Sequence, residues 1–230
     1  MSGESGKPGR NCPRCPRLKA FRQDWRRHEP TWFNAPVPSF GPLSARILIV
    51  GLAPGLQGAN RTGRPFTGDY AGALLYDTLS RYGFARGKYE AHPDDGLELV
   101  DARITNAVRC VPPENKPTPA EIKTCRSFLE PTIAEMRNLR AIVTLGRISH
   151  ETTVAALNHR RSAVPFGHGA SHDVGKLRIF ASYHCSRYNT NTGVLTPEMF
   201  RAVFAEVRRY LDAASQAMTS SAFLSGGKTG

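Results

Sequence analysis

Four short apolar runs punctuate the chain: "RILIVGL" over 46–52, "ARITNAV" over 102–108, "AIVTLG" over 141–146 and "LRIFASY" over 177–183. Each is too short for a stable helix and continuous enough to be covered on both faces, so each reads as a buried strand. The segments between them carry helical spacing. "TGDYAGALLYDTLSRYG" sets Leu74, Leu75, Thr78 and Leu79 close together and stops at Gly83. "TPAEIKTCRSFLEPTIAEMRNL" opens with Thr118 as N-cap, Pro119 at the first helical position and Glu121 at the third, a capping-box pattern. "GRISHETTVAALN" follows, then "TPEMFRAVFAEVRRYLDAA" with the same Thr-Pro start at Thr196 and Pro197. Strands alternating with helices predict an α/β fold, with a central four-stranded parallel sheet covered on both faces. Residues 1–10 and 215–230 read as loose tails around a single domain over 11–214. The "GGKT" near the C-terminus resembles the end of a phosphate-binding loop, but Ala222 stands where its first glycine belongs.

The strand ends change the picture from fold to chemistry. The first strand hands over to "GLAPG", the second to "TNAVRC", the third to "LGR" and the fourth to "YHCSRYNTNTG". Ligands of open α/β sheets bind outside the carboxyl ends of the strands, so these polar loops converge on one crevice. Charge narrows the partner. Lys and Arg number 31 against 19 acids, which leaves a formal charge of +12. Such an excess points to a polyanion, with nucleic acid first. No apolar N-terminal leader or membrane-length run is visible, so the expected location is the cytoplasm, where cysteines more often bind metal than pair as disulfides.

Cys12 and Cys15 form C-x2-C, and Cys110 and Cys125 bracket a proline-rich loop entering a helix. Four thiolates from two distant segments suffice for a metal site. Zinc and an iron–sulfur cluster are both chemically possible; the wide second spacing favours [4Fe-4S]. The fifth, Cys185, reads as a small filler in the crevice.

"GLAPG", "NRTGRPFTGD", "TNAVRC" and "HCSRYNTNTG", in this order and with the four cysteines, resemble the motifs of the uracil-DNA glycosylase superfamily. The resemblance is to its family 5, the B-type branch with an iron–sulfur cluster, including actinobacterial members. It covers the chain from Cys12 to the last helix. It implies a three-layer αβα sandwich and a monofunctional enzyme of base excision repair. Such an enzyme removes uracil, and often hypoxanthine, ethenocytosine or hydroxymethyluracil, from double- or single-stranded DNA. It also implies a [4Fe-4S] cluster on Cys12, Cys15, Cys110 and Cys125.

Cleaving a base from C1′ builds positive charge on the sugar and negative charge on the leaving base, and the base must first leave the stack. On the family pattern Phe66 is the stacking wall, Asn106 reads the base edge and His184 donates to its oxygen; Gly51 and Ala53 give the base close access to backbone. Many relatives carry an acid or amide where this chain has Ala53. Asp69 is the nearest acid in the same loop, expected to orient water or steady the sugar cation, or simply to cap the next helix. Arg61, Arg64, Arg147 and Ser186 are candidates for phosphate contacts, and Arg187, Tyr188 and Asn189 for the loop that holds DNA open, with Arg187 or Tyr188 as wedge. "HGASHD", with His168 and His172, reads as a loop near the active-site mouth rather than a metal site, and "HPDDGLE" as a solvated loop. A monomer is expected. The competing reading is an iron–sulfur nucleic-acid-binding or redox-sensing module with a degenerate pocket.

Overall fold

The structure, a computed structural model, describes residues 6–225. In chain order it comprises α1 (Pro16–His28), β1 (Ile47–Gly51), α2 (Ala59–Thr62), α3 (Tyr70–Arg81), β2 (Ala85–Arg86), β3 (Glu98–Leu99) and β4 (Ala102–Asn106). It continues with α4 (Pro119–Glu135), β5 (Ala141–Leu145), α5 (Arg147–Ala156), β6 (Ser171–Val174), β7 (Leu177–Ser182), α6 (Arg187–Asn191) and α7 (Pro197–Ser225).

The four apolar runs are β1, β4, β5 and β7, all parallel, in the order β4-β1-β5-β7. Successive side chains of a strand point to opposite faces, and the core divides accordingly. Ile47, Ile49, Ile104, Val143 and Phe180 meet α3 and α7 through Leu75, Leu79, Phe200 and Phe204. Leu48, Val50, Ile142 and Ile179 meet α4 and α5 through Leu129 and Val154. Each fully buried aliphatic side chain of this kind contributes about 1.5–3 kcal/mol. The result is the expected αβα sandwich. The Thr118 capping box forms as expected: its hydroxyl accepts from Glu121 N–H, and the Glu121 carboxylate accepts from Thr118 N–H.

Four details of the fold differ from expectation. The sheet has a fifth strand, because β6 pairs antiparallel to β7 at its edge. "HGASHD" was expected to be a loop, but its second half is in this strand. Only Val174 of β6 is buried, so the strand shows almost no apolar signal; a tight turn at Gly175, with φ +60°, folds it onto β7. At the N-terminus Gly6 and Pro8 are buried, so ordered packing begins inside the stretch expected to be a tail. At the other end α7 continues to Ser225, past the expected boundary at 214; the "GGKT" stretch lies outside the described residues. Helix α1 was not foreseen. Only Leu18 and Arg22 of it are buried, too few for a readable apolar stripe.

Arg64 and Asp95 also depart from expectation. Asp95, in the "HPDDGLE" stretch, is not solvated. Its side chain is 0% exposed and takes both guanidinium nitrogens of Arg64 at 2.7 and 2.8 Å. Arg64 is itself buried, within 6 Å of the rings of Phe40, Tyr76 and Tyr89. It is therefore a structural anchor and not a phosphate contact: burial leaves no charge to offer DNA. The guanidinium holds the Asp95 carboxyl far below the ordinary carboxylate range. Removing one partner of a buried pair leaves the other charge uncompensated, a loss of about 3–5 kcal/mol. Asp95→Asn should show a loss of that order in urea unfolding at neutral pH. Because the folded pKa is depressed, the contribution is complete above the unfolded value of about 4 and drains away as pH falls below it. The stability of D95N should accordingly depend less on pH between 5 and 3 (roughly, the window set by that unfolded value) than that of the parent protein.

Candidate active site

The register of β1 and β4 sets Gly51 opposite Asn106, and β5 and β7 end level with each other at Leu145 and Ser182. The chain leaves β1 for α3 on one face and β4 for α4 on the other. A crevice opens where neighbouring connections diverge in this way.

That crevice is a cleft of about 630 Å³ lined by Ala53, Phe66, Asp69, Asn106, His184, Ser186 and Arg187, among others. Three segments far apart in sequence, 53–69, 106 and 184–187, thus meet as expected, whereas Gly146 and Arg147 after β5 are not part of the lining. Gly51 lies beneath the floor. A Cβ at Gly51 would sit 2.5 Å from Asn106 Oδ1 and 2.8 Å from Phe66 Cζ, so glycine is what lets the ring and the amide come together. Asn106 is buried, and its Oδ1 has no hydrogen-bond partner. A buried acceptor left unpaired costs about 1–3 kcal/mol, and a ligand donor in the cleft would recover it. Phe66 is buried at φ +53°, a conformation unfavourable for a bulky residue. Its ring lies 5.9 Å from the His184 ring at an interplanar angle of 28°, and the two form one wall.

Electrostatics follow from burial. The His184 ring is pushed down to about 4 by desolvation, so the imidazole is neutral at pH 7. Asp69 is raised above the ordinary aspartate value, first by desolvation, with backbone bonds from Gly72 and Ala71 pulling the other way. Asp69 is the N-cap of α3, where Oδ1 accepts Gly72 N–H at 3.2 Å. Its Oδ2 turns toward Gly55 and Gly58, where no side chain intervenes. Both of these glycines line the cleft. One oxygen caps while the other is available, so capping and chemistry are compatible. Cys185 is fully buried, 3.5 Å from the Ala71 carbonyl, and its thiol is pushed well up by desolvation; it fills space.

The other candidates separate. Arg61, Arg147, Arg187 and Tyr188 are exposed. Arg147 lies over Phe166, and Arg187 over Tyr70 at 5.4 Å. Tyr188 is 73% exposed. Ser186 caps α6 by accepting Asn189 N–H at 3.3 Å. Asn189 donates its side-chain amide to the His184 carbonyl at 2.8 Å, which braces the histidine's backbone. His168 accepts Tyr183 N–H at 3.1 Å, and His172 donates to the Pro165 carbonyl at 2.9 Å; each is spent on backbone. Gln57, Tyr70 and Asn115 also line the cleft and were not foreseen. Glu114 and Asn115 both adopt left-handed backbone, φ +54° and +58°. The only hint was an Asn after a Pro-Pro pair, a turn signal rather than a site signal.

Cys12, Cys15, Cys110 and Cys125 surround one small cavity with Arg14, Arg22 and Arg109. All four are free thiols. Arg22, almost wholly buried, reaches Cys110 Sγ at 3.1 Å, and Arg109 N–H reaches Cys125 Sγ at 3.3 Å. Burial pushes Cys15 up to about 11 and Cys110 to about 12. Among the described residues no three His, Cys, Asp or Glu side chains converge as a ready-made site for a metal ion. Ala53 packs against this group and also lines the cleft.

A family model described as the uracil DNA glycosylase superfamily matches residues 38–208. The chain belongs to this superfamily. Its relatives include type-5 uracil-DNA glycosylases. That of Thermus thermophilus is 48% identical over 205 residues, 86% of this chain and 93% of the relative. That of Pyrobaculum aerophilum is 41% identical over 197 residues, 84% and 86% of the two chains. That of Mycobacterium tuberculosis, an actinobacterial member, is 41% identical over 211 residues, 86% and 77%. The matched span includes the cleft residues Ala53, Phe66, Asp69, Asn106 and His184, and also Cys110 and Cys125.

Titration of the histidine ring signals by NMR should show one, assigned to His184 through its loss in His184→Gln, that stays neutral until pH approaches 4.

Proposed function

We propose that this chain is a monofunctional DNA glycosylase that hydrolyses the N-glycosidic bond of uracil in DNA. The observation that carries the reading is the unpartnered, buried Asn106 Oδ1 in a cleft that also holds Phe66, Asp69 and a neutral His184. The flipped base lies against the Phe66 face, which holds any flat ring without reading its edge. Asn106 accepts from the uracil N3–H and donates to an adjacent carbonyl. As the C1′–N1 bond breaks, its electron pair goes to the base, and a neutral His184 N–H steadies the negative charge at O2. Asp69 Oδ2 carries negative charge toward the sugar cation and accepts a hydrogen bond from the attacking water. The water oxygen bonds to C1′, its proton leaves to solvent or to the released base, and an abasic site remains. No lysine nucleophile stands in the cleft lining, in keeping with hydrolysis without strand cleavage.

In this reading Arg61 and Arg147, both exposed, and Ser186 meet phosphates, and Tyr188 is the wedge, a role supported by its solvent-open ring while Arg187 is drawn over Tyr70. Hypoxanthine, ethenocytosine and hydroxymethyluracil are further substrates of the same reading, supported by the roomy cleft and the unselective Phe66 face. Among the described residues no helix is long and apolar enough to cross a membrane; we place the enzyme in the cytoplasm, acting as a monomer.

A uracil-containing duplex treated with alkali after single-turnover incubation tests the reading. Cleavage at uracil is expected, and binding without abasic sites would sink it in favour of a binding module. Asp69→Asn should slow excision by about 10²-fold or more; because the Asp69 pKa is raised, the rate of the parent enzyme should fall as pH drops through that value, and the variant should lose this limb.

The four-cysteine cavity fits a polynuclear cluster better than a single ion: its thiols surround a space, and Arg14, Arg22 and Arg109 balance the negative charge of a thiolate-ligated cluster. Cys12, Cys15, Cys110 and Cys125 would hold [4Fe-4S], which supplies a cross-link between the N-terminal segment and the core. Protein purified without oxygen should contain about four irons per chain with acid-labile sulfide, and Cys110→Ser should lose them. Stoichiometric zinc without iron would reverse the assignment.

A further inference from the structure

The least favourable backbone in the cleft belongs to Phe66, at φ +53°, and Gly68 follows at +90°. A bulky side chain persists in the left-handed region only where its surroundings over-determine it. The determinant lies outside every motif considered above, in the connection between β2 and β3. Tyr89 donates its hydroxyl to the Phe66 carbonyl at 3.1 Å and accepts Gly68 N–H at 3.3 Å. One oxygen thus clasps the peptide groups on both sides of Thr67.

The clasp is itself anchored. The Tyr89 ring stacks on Tyr76 at 4.6 Å and 26°, and Tyr76 donates to the Pro65 carbonyl at 2.7 Å. Arg64, locked on Asp95, donates to Thr67 Oγ1 at 2.7 Å. Helix α3 closes the other side, where Gly72 leaves no room for a Cβ against the Phe66 carbonyl and the Tyr89 hydroxyl. Tyr89, Tyr76 and Gly72 meet the main chain of this loop and Arg64 meets the Thr67 side chain, so the backbone that carries the Phe66 ring into the cleft is held from behind.

We infer that Tyr89 is a positioning residue for base excision: its hydroxyl clasps the peptides flanking Thr67 and so sets the Phe66 ring as the wall of the base pocket. The inference rests on the reading of Phe66 as that wall. It separates Tyr89 from DNA affinity, because Tyr89 is not part of the cleft lining, and from the His184 side, which is held by Asn189.

Tyr89→Phe removes both hydrogen bonds and keeps the ring that stacks on Tyr76. Y89F, F66L and the double variant should be compared with the parent in single-turnover uracil excision, affinity for abasic product DNA, and thermal unfolding. Y89F should fold, bind product DNA with unchanged affinity, and excise about tenfold more slowly, as expected for a small misplacement of a reacting partner. In the F66L background the same change should cost less than about twofold, because residues that act through one another are non-additive. A Y89F chain that excises at the parental rate, loses the same factor in both backgrounds, loses product-DNA affinity in parallel, or fails to fold would overturn the role. F66L excising at the parental rate would instead remove the reading of Phe66 as the wall.

Discussion

The parallel pairing of β1 with β4, in the register that sets Gly51 against Asn106, is the constraint on which the cleft depends. Main-chain hydrogen bonds fix that distance, and no side chain in the cleft can adjust it. Ala107 N–H and Val108 N–H donate to the Gly51 and Leu52 carbonyls, so the pairing carries on past the strand ends. Because Gly51 lacks a Cβ, the space above it goes to the Phe66 ring and the Asn106 amide. A side chain there would have to displace both.

Burial then does the electrostatic tuning. His184 is neutral because the protein packed around its ring desolvates it, and Asp69 is held closer to neutrality than a surface aspartate by the same cause. The two groups have opposite charge preferences, and desolvation moves both toward the uncharged form. For His184 this yields a donor without a positive charge. For Asp69 it is opposed by the helix N-terminus, whose N–H groups favour the carboxylate. One residue therefore caps α3 with one oxygen and addresses the cleft with the other.

The thiol cavity is not a separate appendage. Strand β4 ends on Asn106 and Cys110 follows four residues on, while Arg109 N–H meets Cys125. Ala53 touches both the thiol group and the cleft. Whatever fills that cavity bears on the strand end that presents the amide. The same logic of support from behind applies to the opposite wall, where Tyr89, Arg64 and Asp95 brace the loop that carries Phe66.

Short-range physics was legible in the chain. Buried strands betray themselves as apolar runs, Thr118 and Asp69 as caps, and the end of each strand marks where its loop must point; so the layered sheet, the meeting of strand-end loops and the grouping of the cysteines could be anticipated, while Phe66, Asn106 and His184 were singled out by the family resemblance. The rest depended on partners distant in sequence. Arg64 looked like a free cation until the fold brought Asp95 against it, 31 residues away. Strand β6 exists because β7 offers an edge, not because its own residues demand it, and α1 is held by a few buried contacts rather than by a stripe. Tyr89 carries no motif at all. Hydrophobic period and capping are properties of neighbouring residues, readable in one dimension, whereas the pairing of a buried charge, the edge of a sheet and the bracing of a strained backbone are decided only when the chain closes on itself.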